Sequence, residues 1–294
     1  MDLYACQTRL QFIENGNLDE NSEKSEKCDG FKLELKEHQR SMLYQLDNLE
    51  SGDIKISTDN GYDVLHSQIG IIADSTGAGK SIEILAHLTK SPIHEPNERV
   101  TVQFGNFLYV KSSYTKKIYL KSNLIVVPHS CAIQWMNYIK THTDLPHTMI
   151  SKRKEIEQFS TTHHQDQKGI VLCTSSMYND FLDYHEVRWN RVIFDEADTI
   201  NIPACKTPDA YFVWFLTSSL HNLLFPSGYY FVKSRIPGGG NQYMISRKYI
   251  DGIRKIGFIR DTFRVLENNR ANGILKKIIF KNNDEYVKAS FSLP

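Results

Sequence analysis

The sequence predicts an α/β fold, a doubly wound and mainly parallel sheet, and three observations carry that expectation. Five short apolar runs, Ile69–Ala73, Leu124–Val127, Gly169–Cys173, Arg191–Phe194 and Tyr211–Leu216, alternate with helix-like stretches. A glycine-rich turn, Asp74-Ser75-Thr76-Gly77-Ala78-Gly79-Lys80-Ser81, joins the first run to a helical one at Ile82–Leu88. An acidic pair, Asp195-Glu196, stands at the end of a later apolar run. In open parallel sheets, ligand-binding groups lie just past the carboxyl ends of strands, where both features fall.

The elements follow in order. Glu14–Gly30 is rich in Asn, Glu, Ser and Lys, and residues 1–30 are expected to form a flexible lead-in. Met42, Leu43, Leu46 and Leu49 repeat at a helical period, which predicts a helix over Lys36–Leu49. After the first strand and its helix, residues 93–122 predict a β-rich insertion. Val100–Phe104, Phe107–Val110 and Lys117–Leu120 cluster strand formers around Gly105-Asn106 and Ser112-Ser113. Leu124–Val127 is a continuous apolar run, as central parallel strands are, and a helix at Ala132–Lys140 follows. A further helix is expected near Ser176–Tyr184. Pro237–Gly240 reads as a loop, Arg247–Asn269 as helix and Lys276–Phe280 as one more strand.

Composition narrows the class. Hydrophobic residues make up 40% of the 294 and charged residues 23%, which are globular values. Thirty-five basic residues nearly balance thirty-four acidic ones, so a nucleic-acid partner would need a local patch. The five cysteines are scattered and form no CxxC pair, which points to reduced thiols rather than zinc or disulfides. No apolar run reaches the roughly 18 residues of a membrane span, and Met1–Gln11 has no signal-peptide pattern. A soluble protein of the nucleus, cytoplasm or a viral particle or factory is expected, with no membrane partner.

The glycine-rich turn has the strand–loop–helix setting of a phosphate-binding loop. Glycines let backbone N–H groups approach a phosphate, the helix start adds partial positive charge, and a lysine and a hydroxyl reach the outer phosphates and magnesium. Asp74 departs from the generic GxxxxGK[ST] pattern, where a glycine is expected. Asp195 at a strand end can hold magnesium, and Glu196 can polarise an attacking water. Four more pieces lie in order: Leu35-Lys36-Glu37-His38-Gln39, Leu124 to Gln134-Trp135, Cys173-Thr174-Ser175-Ser176 and Leu216-Thr217-Ser218-Ser219-Leu220-His221-Asn222.

This set resembles the first, RecA-like lobe of helicase superfamily 2, most closely its Swi/Snf-type DNA translocases. In that family the phosphate loop commonly reads ADxxGxGK[ST], so Asp74 becomes a match. Leu124 to Trp135 resembles the family's LIVVPxSxxxQW, and Asp195-Glu196-Ala197-Asp198 resembles DEAH with its last residue varied. The coupling motif LTGTPxxN is matched in Leu216 and Thr217, with Asn222 one position short of the motif's Asn, and lacks its glycine and proline. Divergence of this kind, with the Lys- and Asn-rich composition, suggests a viral sequence.

The resemblance implies a role for each matching residue. Gln39 would contact adenine of ATP; Asp74, Gly77, Ala78, Gly79 and Lys80 would form the phosphate site; Ser81 and Asp195 would hold Mg2+. Glu196 would be the catalytic base, with Lys80 beside it in catalysis, and Thr217 would couple the nucleotide site to DNA. Pro128, Ser130, Thr174 and Ser175 would lie near the backbone of DNA, duplex by expectation, gripping phosphates without reading sequence. The lobe would cover residues 31–294, with core motifs at 35–222 and an extension at 223–294. A second RecA-like lobe, in cis or in trans, would supply arginine fingers, since no QxxxRxxR pattern follows Thr217. ATP hydrolysis by this lobe alone is expected to be feeble. The alternative is a catalytically silent nucleotide-binding module that regulates or docks onto another protein.

Other residues are read plainly. Lys152-Arg153-Lys154 is expected to be a solvated patch, His163-His164 an exposed loop rather than a metal site, and Trp135 and Trp189 core.

Overall fold

The structure, a computed structural model, describes residues 16–52, 54–58, 61–65, 67–94, 99–104, 108–113, 118–224, 227–235, 241–249 and 277–292. Its centre is a seven-stranded sheet. In chain order the strands are β3 (Ile69–Ile72), β6 (Ile118–Val127), β7 (His147–Ile150), β8 (Ile170–Thr174), β9 (Val187–Phe194), β10 (Ala210–Leu216) and β13 (Ile279–Phe280). In space the order is β13-β3-β10-β9-β6-β8-β7, and every neighbouring pair is parallel.

Parallel strands are covered on both faces, so their apolar runs are continuous rather than alternating. All five residues of β8 are buried, as are all but Arg188 in β9. Helices α1 (Glu37–Ser51), α2 (Lys80–Lys90), α3 (Ala132–His142), α4 (Arg153–Gln158), α5 (Thr161–Asp166), α6 (Tyr178–Tyr184), α7 (Leu220–Leu224) and α8 (Asp284–Ser292) accompany the strands. Met42, Leu43, Leu46 and Leu49, the periodic residues of α1, are all buried. Close approach decides one position: a Cβ on Gly70 would lie 2.1 Å from the Trp214 ring. Among the described residues, no helix is long and apolar enough to cross a membrane.

The structure departs from the sequence reading in several places. Residues 16–30 are not a loose lead-in: Leu18 and Cys28 are buried in the core. The N–H groups of Asn17 and Leu18 donate to Lys281 O, and Leu18 bridges Asn282 in parallel. The physical reason is that β13 leaves an open backbone edge, which this segment pairs. Residues 1–15 lie outside the described residues.

Within the insertion, β4 (Arg99–Phe104) and β5 (Leu108–Ser113) form a separate antiparallel hairpin. Lys117–Leu120 does not belong to it: from Ile118 the chain is already β6, pairing with β9 through an irregularity between Leu120 and Asn123. Leu120 is fully buried, and that draws the segment into the main sheet. A second hairpin, β1 (Ile54–Thr58) with β2 (Gly61–Leu65), and the edge strand β7 carry no clear sequence signal. Arg247–Tyr249, read as the start of a helix, belong to β12 (Asn241–Tyr249), which pairs with β11 (Ser227–Arg235). The rest of that expected helix, and the loop at 237–240, lie outside the described residues.

His163 and His164 sit on α5 rather than in a loop. His163 faces solvent, and His164 is 4% exposed. Its ring stacks on Phe159 at 4.7 Å between centroids, and Nδ1 lies 2.8 Å from Ser122 Oγ. Burial, with His163 adding, lowers the His164 pKa to about 4. An imidazole kept neutral in this way stabilises the fold fully above the ordinary histidine value of 6.5 and loses that contribution as pH falls toward 4. Urea titrations between pH 7 and 4 should therefore show an acid-side loss of roughly 2 kcal/mol, and His164→Asn should flatten it.

Candidate nucleotide-binding site

The glycine-rich loop leaves β3 at Ala73 and enters α2 at Lys80. Gly77 and Gly79 have φ of +87° and +104°, in the left-handed region that favours glycine. Gly79 is the N-cap of α2, and its carbonyl accepts the N–H groups of Ile82 and Glu83 at 2.8 and 3.1 Å. The turn thus presents backbone N–H groups and the helix start on one side. Lys80 Nζ folds back to donate to Asp74 O at 2.8 Å and Ser75 O at 3.3 Å, and Ser81 is half-buried beside it.

Helix α1 supports the far end of the loop. His38, fully buried, places Nε2 at 2.9 Å from Ala78 O; a carbonyl only accepts, so Nε2 carries the proton. Gln39 is 5% exposed, and its Oε1 accepts the Lys36 N–H at 2.9 Å as part of a helix cap. Its Nε2 would lie 2.4 Å from a Cβ on Gly79, so the glutamine lies against the loop rather than reaching into open space.

Asp74 is fully buried, and its carboxylate accepts Asn282 N–H at 2.6 Å and Asn282 Nδ2 at 2.8 Å. Burial raises its pKa, and the two bonds from Asn282 oppose the rise. Glu83, in the first turn of α2, is fully buried with neither carboxyl oxygen hydrogen-bonded. Burial and the Asp74 charge push its pKa well up.

Three strand ends meet beside the loop. Asp195 follows β9, and its N–H donates to Val126 O at 2.9 Å, extending the β9–β6 ladder. Trp135 Nε1 donates to Asp195 Oδ2 at 2.6 Å. Burial pushes the Asp195 pKa up to about 6; the Trp135 bond opposes this, Glu196 adds to it, and the Lys80 charge opposes it. Glu196 has φ of +49°, a left-handed conformation unusual for a side chain with a Cβ. Its carbonyl accepts the N–H groups of Thr199 and Ile200, closing a turn directly after the strand.

At the end of β10, Thr217 N–H donates to Ile72 O at 3.0 Å and Thr217 Oγ1 to Asp198 Oδ1 at 2.7 Å. The last residue of the acidic motif thereby ties β9 to β10. Further along the same edge, Ser175 N–H donates to Val127 O at 2.8 Å. Ser130 is exposed, and Pro128 and Ser175 are half-buried. Thr174 differs from the expectation: it is fully buried, with its hydroxyl 3.3 Å from Ser176 Oγ, because it still belongs to β8.

Sequence reasoning missed Asn282, Asp198 and the polar role of Trp135, which is otherwise buried as expected. Only Asp198 carried a signal, its adjacency to Asp195-Glu196. Among the described residues no cluster of three or more His, Cys, Asp or Glu could hold a metal ion, and Cys28, Cys131, Cys173 and Cys205 are free. Gly79→Ala should cost roughly 1 to 3 kcal/mol through backbone strain and displace Gln39. Thermal unfolding would measure the first effect and nucleotide titration the second.

The chain matches the model of the SNF2-related domain over residues 19–216, more than half its length. It is 24% identical to "Putative helicase R592" of Acanthamoeba polyphaga mimivirus, an alignment covering 94% of this chain and 39% of that protein. In fold it is similar to the Sulfolobus solfataricus SWI2/SNF2 ATPase core in complex with dsDNA. There the TM-score is 0.53 at 15% identity, covering 92% of this chain and 49% of that one. The chain therefore spans less than half the length of the relatives it matches. The seven-stranded parallel sheet agrees with that fold, and the chain belongs to the SNF2-related domain family, as an N-terminal lobe of Swi/Snf type.

Proposed function

We propose that this lobe binds ATP with Mg2+ at the Asp74–Ser81 loop and contributes the hydrolytic half-site of a DNA translocase completed by a second RecA-like lobe. The observation that carries this reading is the convergence of the left-handed glycine loop, the start of α2 and Asp195, close enough for the Lys80 charge to act on the Asp195 carboxyl. Gly77, Ala78, Gly79 and Lys80 hold the phosphates. Lys80 leaves the Asp74 and Ser75 carbonyls to do so. Gln39 meets the adenine edge from α1.

The donor set suits magnesium: the Ser81 hydroxyl and the Asp195 carboxylate are hard oxygen ligands, and the raised pKa of Asp195 reflects a buried charge with little compensation. The ion supplies charge neutralisation on the outer phosphates. Glu196 accepts a proton from the attacking water and orients it toward the terminal phosphorus. Thr217, bonded to Asp198, passes changes at the acidic motif to β10. Pro128, Ser130 and Ser175 face a DNA backbone along the same edge; Thr174 supports that edge from within, through its contact with Ser176.

ATP titration and DNA-stimulated phosphate release test the proposal. Lys80→Ala should weaken binding, whereas Glu196→Gln should keep binding and lower turnover by about 10^2 to 10^4. Equal turnover in wild type and both variants would sink the enzymatic reading. Binding without turnover, with DNA and a second lobe supplied, would favour a silent nucleotide-binding module, a reading that the missing glycine and proline after Thr217 keep open.

A further inference from the structure

We propose that Asn282 is a positioning residue of the nucleotide site, and that residues 277–292 form a working part of it. The inference rests on the reading that the Asp74–Ser81 loop binds phosphate. This segment lies beyond the family match at residues 19–216 and carries none of the sequence motifs.

The segment grips the loop from two sides. On the strand side, β13 pairs with β3 at Ile279↔Ile71 and Phe280↔Ile72, and Phe280 O accepts the Ala73 N–H at 2.8 Å. On the helix side, Ser290 Oγ accepts the His38 N–H at 3.2 Å, and Tyr286 Oη lies 3.0 Å from Ser41 Oγ. His38 in turn holds Ala78 O. Between these anchors, Ser75 Oγ donates to Asp284 Oδ1 at 2.6 Å.

Asn282 stands at the centre. It is 1% exposed, and both its N–H and its Nδ2 point at the Asp74 carboxylate. Its own Oδ1 is buried without a partner. Only the amide NH2 can face a carboxylate, so Asp74 sets the orientation, and the orphaned oxygen is the cost of it.

The consequence concerns Lys80. Its ammonium sits across the Asp74 and Ser75 carbonyls and acts electrostatically on the Asp74 carboxylate. Without the Asn282 side chain, the Asp74 carboxylate keeps only the backbone N–H and draws on the positive charge around it, of which Lys80, already acting on it, is the mobile source. With Asn282 in place, Asp74 is satisfied and Lys80 is free to move to a phosphate. Without it, Lys80 is the replacement partner and is withdrawn from the ligand.

The test uses the full chain and Mg·ATP in calorimetric titrations, which report affinity and the competent fraction separately. Asn282→Leu, which keeps the branched heavy-atom skeleton and removes Nδ2, should raise Kd roughly tenfold or more with stoichiometry unchanged. Asp74→Asn added to it should recover most of the loss, because a neutral side chain no longer recruits Lys80. Lys288→Ala, on the exposed face of α8, is the control for disturbing the helix. A lower melting temperature with wild-type Kd in the folded fraction would mean a purely structural role and overturn the proposal, as would failure of Asp74→Asn to rescue. Where Asn282→Leu does not fold, Asn282→Ser carries the same comparison: a raised Kd that Asp74→Asn restores supports the proposal, and a wild-type Kd overturns it. Absence of ATP binding by the wild-type chain would instead overturn the proposed function, a separate outcome.

Discussion

The elements that carry the site are held together at Glu50, a carboxylate buried at the end of α1. Arg191 Nε approaches both its oxygens at 2.9 and 2.8 Å, Trp214 Nε1 donates at 2.6 Å, and His94 Nε2 lies at 2.9 Å. His87 Nε2 stands 2.9 Å from Oε1, the oxygen to which Trp214 also donates. Burial alone would raise the Glu50 pKa; the charges of His87 and Arg191 reverse that and hold it well below the usual range. Glu50 itself and three of these partners, His87, Arg191 and Trp214, lie on elements that also bear a site residue. Helix α1 carries His38 and Gln39, α2 carries Lys80, β9 runs into Asp195, and β10 runs into Thr217. Buried ion clusters contribute little net stability compared with apolar packing, but one left incomplete is strongly unfavourable. The cluster therefore penalises any slippage between these four elements.

From that register the chemistry follows at the carboxyl edge of the sheet. Backbone bonds from Asp195 to Val126 and Thr217 to Ile72 continue the strand ladders one residue beyond the strands, and one from Ala197 to Leu216 ties the acidic motif to the end of β10. The loops after β3, β6, β9 and β10 are consequently level with one another. Side chains then add cross-links that the ladders do not provide. Trp135 fixes one oxygen of Asp195 from α3, and Thr217 holds Asp198.

Much of this was legible in the chain. Continuous apolar runs mark buried parallel strands whatever surrounds them, and a glycine-rich turn before a helix has few alternative uses. Five of the seven main strands, the loop and the acidic pair were read on those grounds, and β13 was read from Lys276–Phe280. β7 was not, because an edge strand that is half-exposed carries a weak pattern. Residues 16–30 were misread for a related reason: their place in the core depends on backbone pairing with β13 and on Leu18 and Cys28, not on a hydrophobic run. His164 looked like half of a polar pair, and only its position on α5 turns it inward.

The class of fold, the order of the motifs and the identity of the groups at strand ends follow from local periodicity and spacing along the chain. The tertiary structure alone decided which distant residues complete them. Asp74 and Asn282 are 208 positions apart, and Glu50 and Arg191 are 141 apart. No local pattern records such pairs, because a buried carboxylate constrains the chemistry of its partner and not its place in the chain.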